Sequence, residues 1–459
     1  MAERFEIVEK ALLKMLEEKK YATLRDILVT MNPMDVAGVF LGLEEKQIPL
    51  MFRLLPKELA AETFVEMDPD AQELLIRGFS DNELKEVLDE LYVDDAADIV
   101  EEMPANVVKR ILRQADPELR SSINQILRYP EYSAGSIMTT EYVSLGPQMT
   151  VEEAILRIRR QGVDKETIYT CYVLDKDRTL LGMVTVKDLL LAADDETQIG
   201  QMMERNIISV TTLDDQEKVA HTLSKYNFLA LPVVDGENRM VGIVTFDDAM
   251  DVMEEEATED MELMSAMTPS EKTYLKSSAL DLFKNRIPWL MLLMVSATFT
   301  GLIITSFEDS LAAQVALTAF IPMLMGTGGN SGSQSSVTVI RSLSLGELHF
   351  RDAGTVLWKE LQTAVLCGLT LAAVCFAKIW LIDRLLMGNP SITVMVDLVV
   401  CLALAVTVVL AKMVGGLLPM AAKAMHLDPA VMASPFISTI VDALSLLVYF
   451  LFAKMLLGV

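Results

Sequence analysis

Five apolar stretches fill the last third of the chain and constrain its fold more than any other feature. Residues 287–307 carry no charged side chain over 21 positions, and residues 310–340 carry none over 31. About 20 apolar residues in a helix cross a hydrocarbon core. Three further stretches follow at roughly 355–382, 393–420 and 430–457. One such run is explained by a buried core helix; five in succession predict five membrane spans. The second run is longer than one straight span requires. Lys378 and Lys412 fall toward the ends of their stretches, where an ammonium can snorkel to the interface. Lys284, Arg286, Arg341, Arg351, Lys359 and Lys423 flank one set of ends, and only Arg384 and Lys454 flank the other. The positive-inside rule then orients a multi-pass membrane protein, for which the plasma (inner) membrane is the expected location. Residues 1–286 are expected in the cytosol and the C-terminus outside.

The charge is partitioned the same way. Residues 287–459 hold 9 acidic and 8 basic side chains, so almost all of the net charge of −26 lies on residues 1–286. An acidic domain of this kind repels nucleic acid and attracts cations, although solubility alone also explains acidity. The start, "MAERFEIVEKALLKMLEEKK", is too charged for a secretory signal. The four cysteines form no C-x-x-C pair, and three lie in apolar stretches, which predicts small buried hydrophobes and no disulfide or zinc framework.

The acidic part divides in two. Residues 1–130 read as short helices punctuated by Pro33, Pro56, Pro69 and Pro104, a degenerate helical superhelix. Residues 131–262 contain a duplication: "LLGMVTVKDLL" aligns with "MVGIVTFDDAM" at an offset of 60, matching Gly182 with Gly242, Thr185 with Thr245 and Asp188 with Asp248. Each copy reads helix, strand, hairpin turn, strand, helix. The pattern resembles a tandem pair of cystathionine-β-synthase (CBS) domains, 131–198 and 199–262. The resemblance implies adenine-nucleotide binding, ATP among the candidates, with Thr185 and Asp188 near ribose and phosphates. The competing role is structural: Asp188 caps the helix after the strand. The absence of obvious basic phosphate contacts favours the cap.

Acidic side chains are concentrated where no base can pair with them. Asp248, Asp251 and Glu255 follow i, i+3, i+7, Glu259 comes four later, and no Lys or Arg occurs between Arg239 and Lys272. Like charges at this spacing destabilise a helix unless cations bind. Asp94 and Asp98 repeat the theme at i, i+4, and Asp215 and Glu217 add to it. All-oxygen donors suit hard cations such as Mg²⁺ or Ca²⁺; a solvated acidic face is the simpler alternative, and no EF-hand loop is present. Between these acids and the first span, residues 263–286 predict a connecting helix with Leu275, Ala279, Leu282 and Phe283 as its apolar stripe.

Two spans carry polar motifs. "FIPMLMGTGGNSGSQSSVTVIRSL" lacks the G-K-[ST] of a phosphate loop; its glycines and serines suit close helix packing or a local break after Pro322. Asn330 and Gln334, at i, i+4, put amide oxygens on one side. In the last span, Pro435, Ser438, Thr439, Asp442, Ser445 and Tyr449 recur at steps of three or four, placing a carboxylate at mid-depth on one polar face. An intramembrane acid is functional by default.

The order of modules, with "KNRIPWL", "IPMLMGTGGNSGSQSS", "VIRSLSLGE" and "DPAVMASPFISTIVDALSLLVYF", resembles the MgtE family of magnesium channels and transporters over essentially the whole chain. The fold class implied is multidomain: a cytosolic α-helical superhelix (1–130), an α/β CBS pair, a connecting (plug) helix (263–286) and an all-α five-helix membrane domain (287–459). The resemblance implies a homodimer with a pore on its two-fold axis lined by the second and fifth spans, with Asp442 facing the pore and the Ser438 carbonyl nearby. It also implies closure by Mg²⁺ at regulatory acids, here Asp94, Asp98, Asp215, Glu217, Asp248, Asp251, Glu256, Glu259, Asp260 and Asp428, the last facing Asp260. Asn227 stands where family members can offer an acid. Alternative functions are a broader Co²⁺ or Mn²⁺ transporter, or a membrane-tethered nucleotide sensor without transport. No nucleophile–base set supports an enzyme.

Overall fold

The computed structural model describes residues 2–270, 274, 277–386, 388, 392–432 and 434–458. It comprises two compact units, 1–253 and 254–459.

The first unit begins with a stack of ten short helices among the described residues, from α1 (Ala2–Glu17) to α10 (Pro117–Ile126). Capping chemistry sets their lengths. Asn32, Asp68 and Asp116 each accept a backbone N–H at a helix start, with proline in the first helical turn behind them, and Ser80 forms a reciprocal capping box with Glu83. Between caps each helix is too short to persist alone. Burial of Leu24, Leu28, Val36, Met51, Phe64, Leu75 and Ile111 in one continuous core holds them. The Arg110 guanidinium donates to the carbonyls of Ile76 and Phe79, tying α9 (Ala105–Gln114) to the end of α6 (Pro69–Gly78).

The duplication folds as two equivalent layers. β1 (Tyr142–Leu145), α11 (Val151–Gln161), β2 (Thr167–Leu174), β3 (Leu180–Thr185) and α12 (Val186–Leu190) form the first copy. A one-turn helix, α13 (Ile199–Met202), leads to β4 (Val210–Thr211), α14 (Gln216–Tyr226), β5 (Ala230–Val234), β6 (Met240–Thr245) and α15 (Phe246–Met264). The sheet orders are β1-β2-β3 and β4-β5-β6, each with one parallel and one antiparallel pairing. The helix–strand–hairpin–strand–helix reading is therefore borne out, with one short leading strand per copy beyond it. The repeated glycines have a packing reason. A Cβ at Gly182 would sit 2.9 Å from the Glu204 carbonyl, and one at Gly242 would sit 2.5 Å from the Thr139 carbonyl, so each glycine admits a crossing backbone. Asn227 occupies the left-handed position (φ 53°) that closes α14, a conformation asparagine tolerates better than most residues.

The second unit is helical. α16 (Ala279–Ser306), α17 (Glu308–Ala313), α18 (Ile321–Ser344), α19 (Ala353–Lys378), α20 (Val394–Ala424) and α21 (Ser434–Leu457) make its framework. Four apolar segments, Ala279–Ser306, Phe350–Leu386, Val394–Ala424 and Pro429–Leu457, are long and apolar enough to cross a membrane. α18, at 24 residues, is shorter than these but still long enough to span, and its glycines and serines make it less apolar.

The apolar run 310–340, longer than one straight span requires, divides into α17, a 3-10 segment (Val315–Phe320) and then α18. Three expectations change here. Pro322 lies in the first turn of α18, where no helical hydrogen bond is lost, rather than inside a helix. Among the described residues of 263–286 there is no separate connecting helix. α15 ends at Met264, and α16 runs unbroken from Ala279 through Pro288 into the apolar span; Leu275 lies outside the described residues. Lastly, Lys412 does not snorkel. It is 5% exposed in the interior of α20, whereas Lys378 is only partly buried and pairs with Asp383 at 2.7 Å.

Candidate functional site

Glycines let the helices of the second unit meet backbone to backbone. A Cβ at Gly415 of α20 would lie 2.2 Å from the Gly332 carbonyl of α18, and one at Gly329 would lie 3.1 Å from the Ser438 hydroxyl of α21. Opposite that buried face, Gly326, Asn330, Gln334, Thr338 and Arg341 of α18 are exposed at steps of three and four. They form a polar stripe on a helix whose neighbours are apolar.

Asp442 lies half-buried on α21, beside this contact. The polar face of α21 divides. Ser445 is buried and its hydroxyl donates to the Val441 carbonyl at 2.6 Å; buried Tyr449 donates to the Leu317 carbonyl at 2.9 Å. Both are satisfied internally. Thr439 donates to the Pro435 carbonyl at 3.1 Å, while Ser438 and Asp442 keep partial solvent access. Among the described residues no donor hydrogen-bonds the Asp442 carboxylate. The apolar stretch of α20 holds a second acid that the sequence reading passed over. Asp397, 4% exposed, accepts from the Cys401 thiol at 3.4 Å.

The first unit gathers the acids of α8 (Val93–Glu102) against those of the CBS pair. Asp94, Asp95, Asp98, Glu166 and Asp248 interact mutually, with Glu141 and Asp247 at the margin. Burial, followed by the Asp248 charge, pushes Asp95 up to about 7, Glu166 to about 8 and Asp94 well above the carboxylate range; Asp98, exposed at the rim of the same crowded face, is raised in the same direction. Burial also raises Asp248 to about 6, against the Thr245 hydroxyl that donates to it at 2.5 Å. Glu66 is raised by burial and by Asp251. The structure thus brings predicted Asp94, Asp98 and Asp248 together and adds Asp95 and Glu166. Asp95 was legible beside Asp94; Glu166, in the loop before β2, had no sequence signal. Asp215 and Glu217 are placed otherwise: Asp215 caps α14 by accepting the Glu217 N–H at 3.0 Å.

A second acidic group lies in the other unit. Burial and Asp428 raise Asp260, whose carboxylate accepts from the Ser344 hydroxyl at 3.2 Å and is partly offset by Arg341. Burial raises Glu259 as well, followed by Glu256 and Asp428. Asp428 also accepts the Ala430 N–H at 2.7 Å. Among the described residues no three His, Cys, Asp or Glu side chains converge as a ready metal cage.

Comparison with known proteins gives these features a family. The divalent cation transporter family MgtE matches residues 321–452, the MgtE intracellular N domain matches 31–132, and CBS domains match 134–195 and 199–255. The magnesium transporter MgtE of Thermus thermophilus is 36% identical over 97% of this chain and 98% of its own length. This chain belongs to the MgtE family. The MgtE of Bacillus subtilis is 31% identical over 95% of this chain and 94% of its own. A crystal structure of the cytosolic domain of the Mg²⁺ channel MgtE in complex with ATP is 37% identical, with a TM-score of 0.51, covering 53% of this chain and 99% of that one. The MgtE relatives are named transporters, not enzymes, and the chain is a multi-pass membrane transporter of this magnesium-transporting family.

Within the CBS pair of this MgtE protein, the capping roles differ from expectation. Thr185 is the N-cap of α12, and Asp188, three residues on, completes a capping box in which the Thr185 hydroxyl donates to it at 2.5 Å. Asp188 therefore supports the cap and is not itself the cap. The basic side chains that the sequence did not reveal collect elsewhere: Arg157, Lys165, Lys176 and Arg178 line a cleft of about 990 Å³ that excludes Thr185 and Asp188.

Proposed function

We propose that this protein is a Mg²⁺-selective, homodimeric channel of the plasma membrane, closed by Mg²⁺ at its acidic N-terminal modules. The observation that carries the proposal is the pairing of an exposed polar stripe on α18 with a half-buried carboxylate on α21 that no donor among the described residues hydrogen-bonds. A carboxylate facing lipid at mid-depth costs about 2.5–3.5 kcal/mol on insertion scales. A second copy across a two-fold axis would cover both features and enclose a wet pathway. Two Asp442 carboxylates would then face one ion, with Ser438, Asn330 and Gln334 supplying neutral oxygens. Mg²⁺ sheds water reluctantly, so a hydrated ion held through its waters suits such a ring. Five passes, α16, α18, α19, α20 and α21, leave residues 1–286 in the cytosol and the C-terminus outside.

Regulation rests on the acids. The carboxylates around Asp248 are crowded and dry enough that several hold protons near neutral pH and repel one another once those protons leave; a divalent ion displaces the protons and relieves that repulsion. An open group of acids, rather than a closed cage, fits a cation that keeps several waters. α15 carries Asp248 and Asp251 in its first turns and Glu259 and Asp260 near its end, so ion occupancy is read along one helix. The ATP complex of a 37% identical neighbour supports adenine-nucleotide binding by the CBS pair, and Thr185 and Asp188 are the residues proposed for it. A broader Co²⁺ or Mn²⁺ specificity is the second reading, because all-oxygen donors do not by themselves exclude those ions. Flux into proteoliposomes tests the proposal: Asp442→Asn should abolish Mg²⁺ uptake while folding and dimerisation persist. Uptake at the wild-type rate would refute it.

A further inference from the structure

The interior of the second unit holds a lysine that ion conduction, as proposed, does not use. Lys412 is the nineteenth of the 31 residues of α20 and is 5% exposed. Its ammonium donates to the Ser335 hydroxyl at 3.4 Å, and Ser335, 2% exposed on α18, donates to the Glu360 carboxylate of α19 at 2.5 Å. One hydroxyl therefore links a buried cation and a half-buried anion, and the link ties three membrane helices at one level. The packing is built for it. A Cβ at Gly416, one turn beyond Lys412, would lie 3.2 Å from Glu360 Cγ, so this glycine leaves room for the acid. A Cβ at Gly415 would lie 2.2 Å from the Gly332 carbonyl, so α18 and α20 are in backbone contact beside it.

We infer that Lys412 and Glu360 are positioning residues for ion conduction: a charge-balanced pair behind α18 that fixes this helix while adding no net charge near the ion path. The inference rests on the reading of α18 as pore-lining. Either charge alone would be costly in a membrane interior, and removing one partner of a buried pair strands the other. The stranded charges have opposite signs. Ser335 is six residues along α18 from Gly329, which touches Ser438, and six helical residues span about 9 Å. One unit charge at about 12 Å, with an effective dielectric constant of about 20, changes cation occupancy by about tenfold.

Full-length protein in proteoliposomes, with Mg²⁺ flux measured against concentration, separates this role from plain packing. Lys412→Met leaves Glu360 uncompensated and should lower the half-saturating Mg²⁺ concentration about five- to tenfold. Glu360→Gln leaves the ammonium uncompensated and should raise it by a similar factor. The double variant should return to within about twofold of wild type. Shifts of both single variants in the same direction, no shift in either, or a double variant as impaired as the worse single variant would each overturn the inference. Where the single variants do not fold, thermal melting decides: a double variant that melts near wild type supports the pairing, and one that collapses with the single variants refutes it. Asp442→Asn, run alongside, distinguishes the two levels. Normal flux in that variant defeats the pore reading itself, whatever the lysine pair does.

Discussion

Replacing Asp248 with Asn should stabilise the N-terminal unit when Mg²⁺ is absent. Asp248 is the leading neighbouring charge on Asp94, Asp95, Asp98 and Glu166. Asn keeps an oxygen for the Thr245 hydroxyl and removes the charge. A like charge at about 7 Å near a protein surface costs about 2 kcal/mol. Partial protonation of the neighbours and solvent at the exposed rim, where Asp98 sits, reduce the total relief to about 1–2 kcal/mol. For a unit of this size that corresponds to about 2–8 °C in Tm. The effect depends on pH with a definite sign. These carboxylates hold their protons more tightly folded than unfolded, so their stabilising contribution is present at low pH and is lost as pH rises through about 6 to 8. Wild type in EDTA should melt higher at pH 5.5 than at pH 8, and the gain from Asp248→Asn should shrink at pH 5.5. Mg²⁺, which favours the folded unit by binding it, should raise the Tm of wild type more than that of the variant. Differential scanning of the detergent-solubilised full chain at both pH values reads all three. A lower Tm for Asp248→Asn in EDTA at pH 8 would refute repulsion as the governing term.

Other expectations follow from the same structure. Asp442→Asn should eliminate Mg²⁺ flux in liposomes and leave the melting profile within about 2 °C, since among the described residues no donor hydrogen-bonds its carboxylate. Gly415→Ala should force α18 and α20 apart, costing about 1–3 kcal/mol on melting and lowering flux without touching the ion path. Tyr449→Phe should cost about 1–2 kcal/mol in thermal stability, because the Leu317 carbonyl loses its buried donor. Asp188→Asn should weaken ATP binding measured by titration calorimetry at least tenfold if nucleotide sits at the α12 cap; unchanged affinity would move attention to the basic cleft lined by Arg157 and Arg178.

The sequence determined what depends on local pattern. Uncharged runs announced the membrane helices, because lipid tolerates only closed hydrogen bonding and apolar surface. A 60-residue offset announced the paired sheets, since two in-register copies of one hairpin must fold alike. Caps such as Asp68 and Ser80 set helix starts within a few residues. The charge of α15 was equally plain, for no base lies near it in sequence. Tertiary structure decided the rest, because it depends on which surfaces meet. Glu166 joined the acidic cluster only through the packing of the CBS pair against α8, and Asp215, away from the charges that act on Asp94, Asp95, Asp98 and Glu166, caps its own helix. Lys412 read as an interfacial residue by position along its helix. Burial between α18 and α19 made it an internal charge, and only the presence of Ser335 and Glu360 on neighbouring helices allows a cation to remain there. For Asp442 the depth was legible from its place in the apolar run; the fold decided its half-buried setting, in which among the described residues no donor hydrogen-bonds the carboxylate.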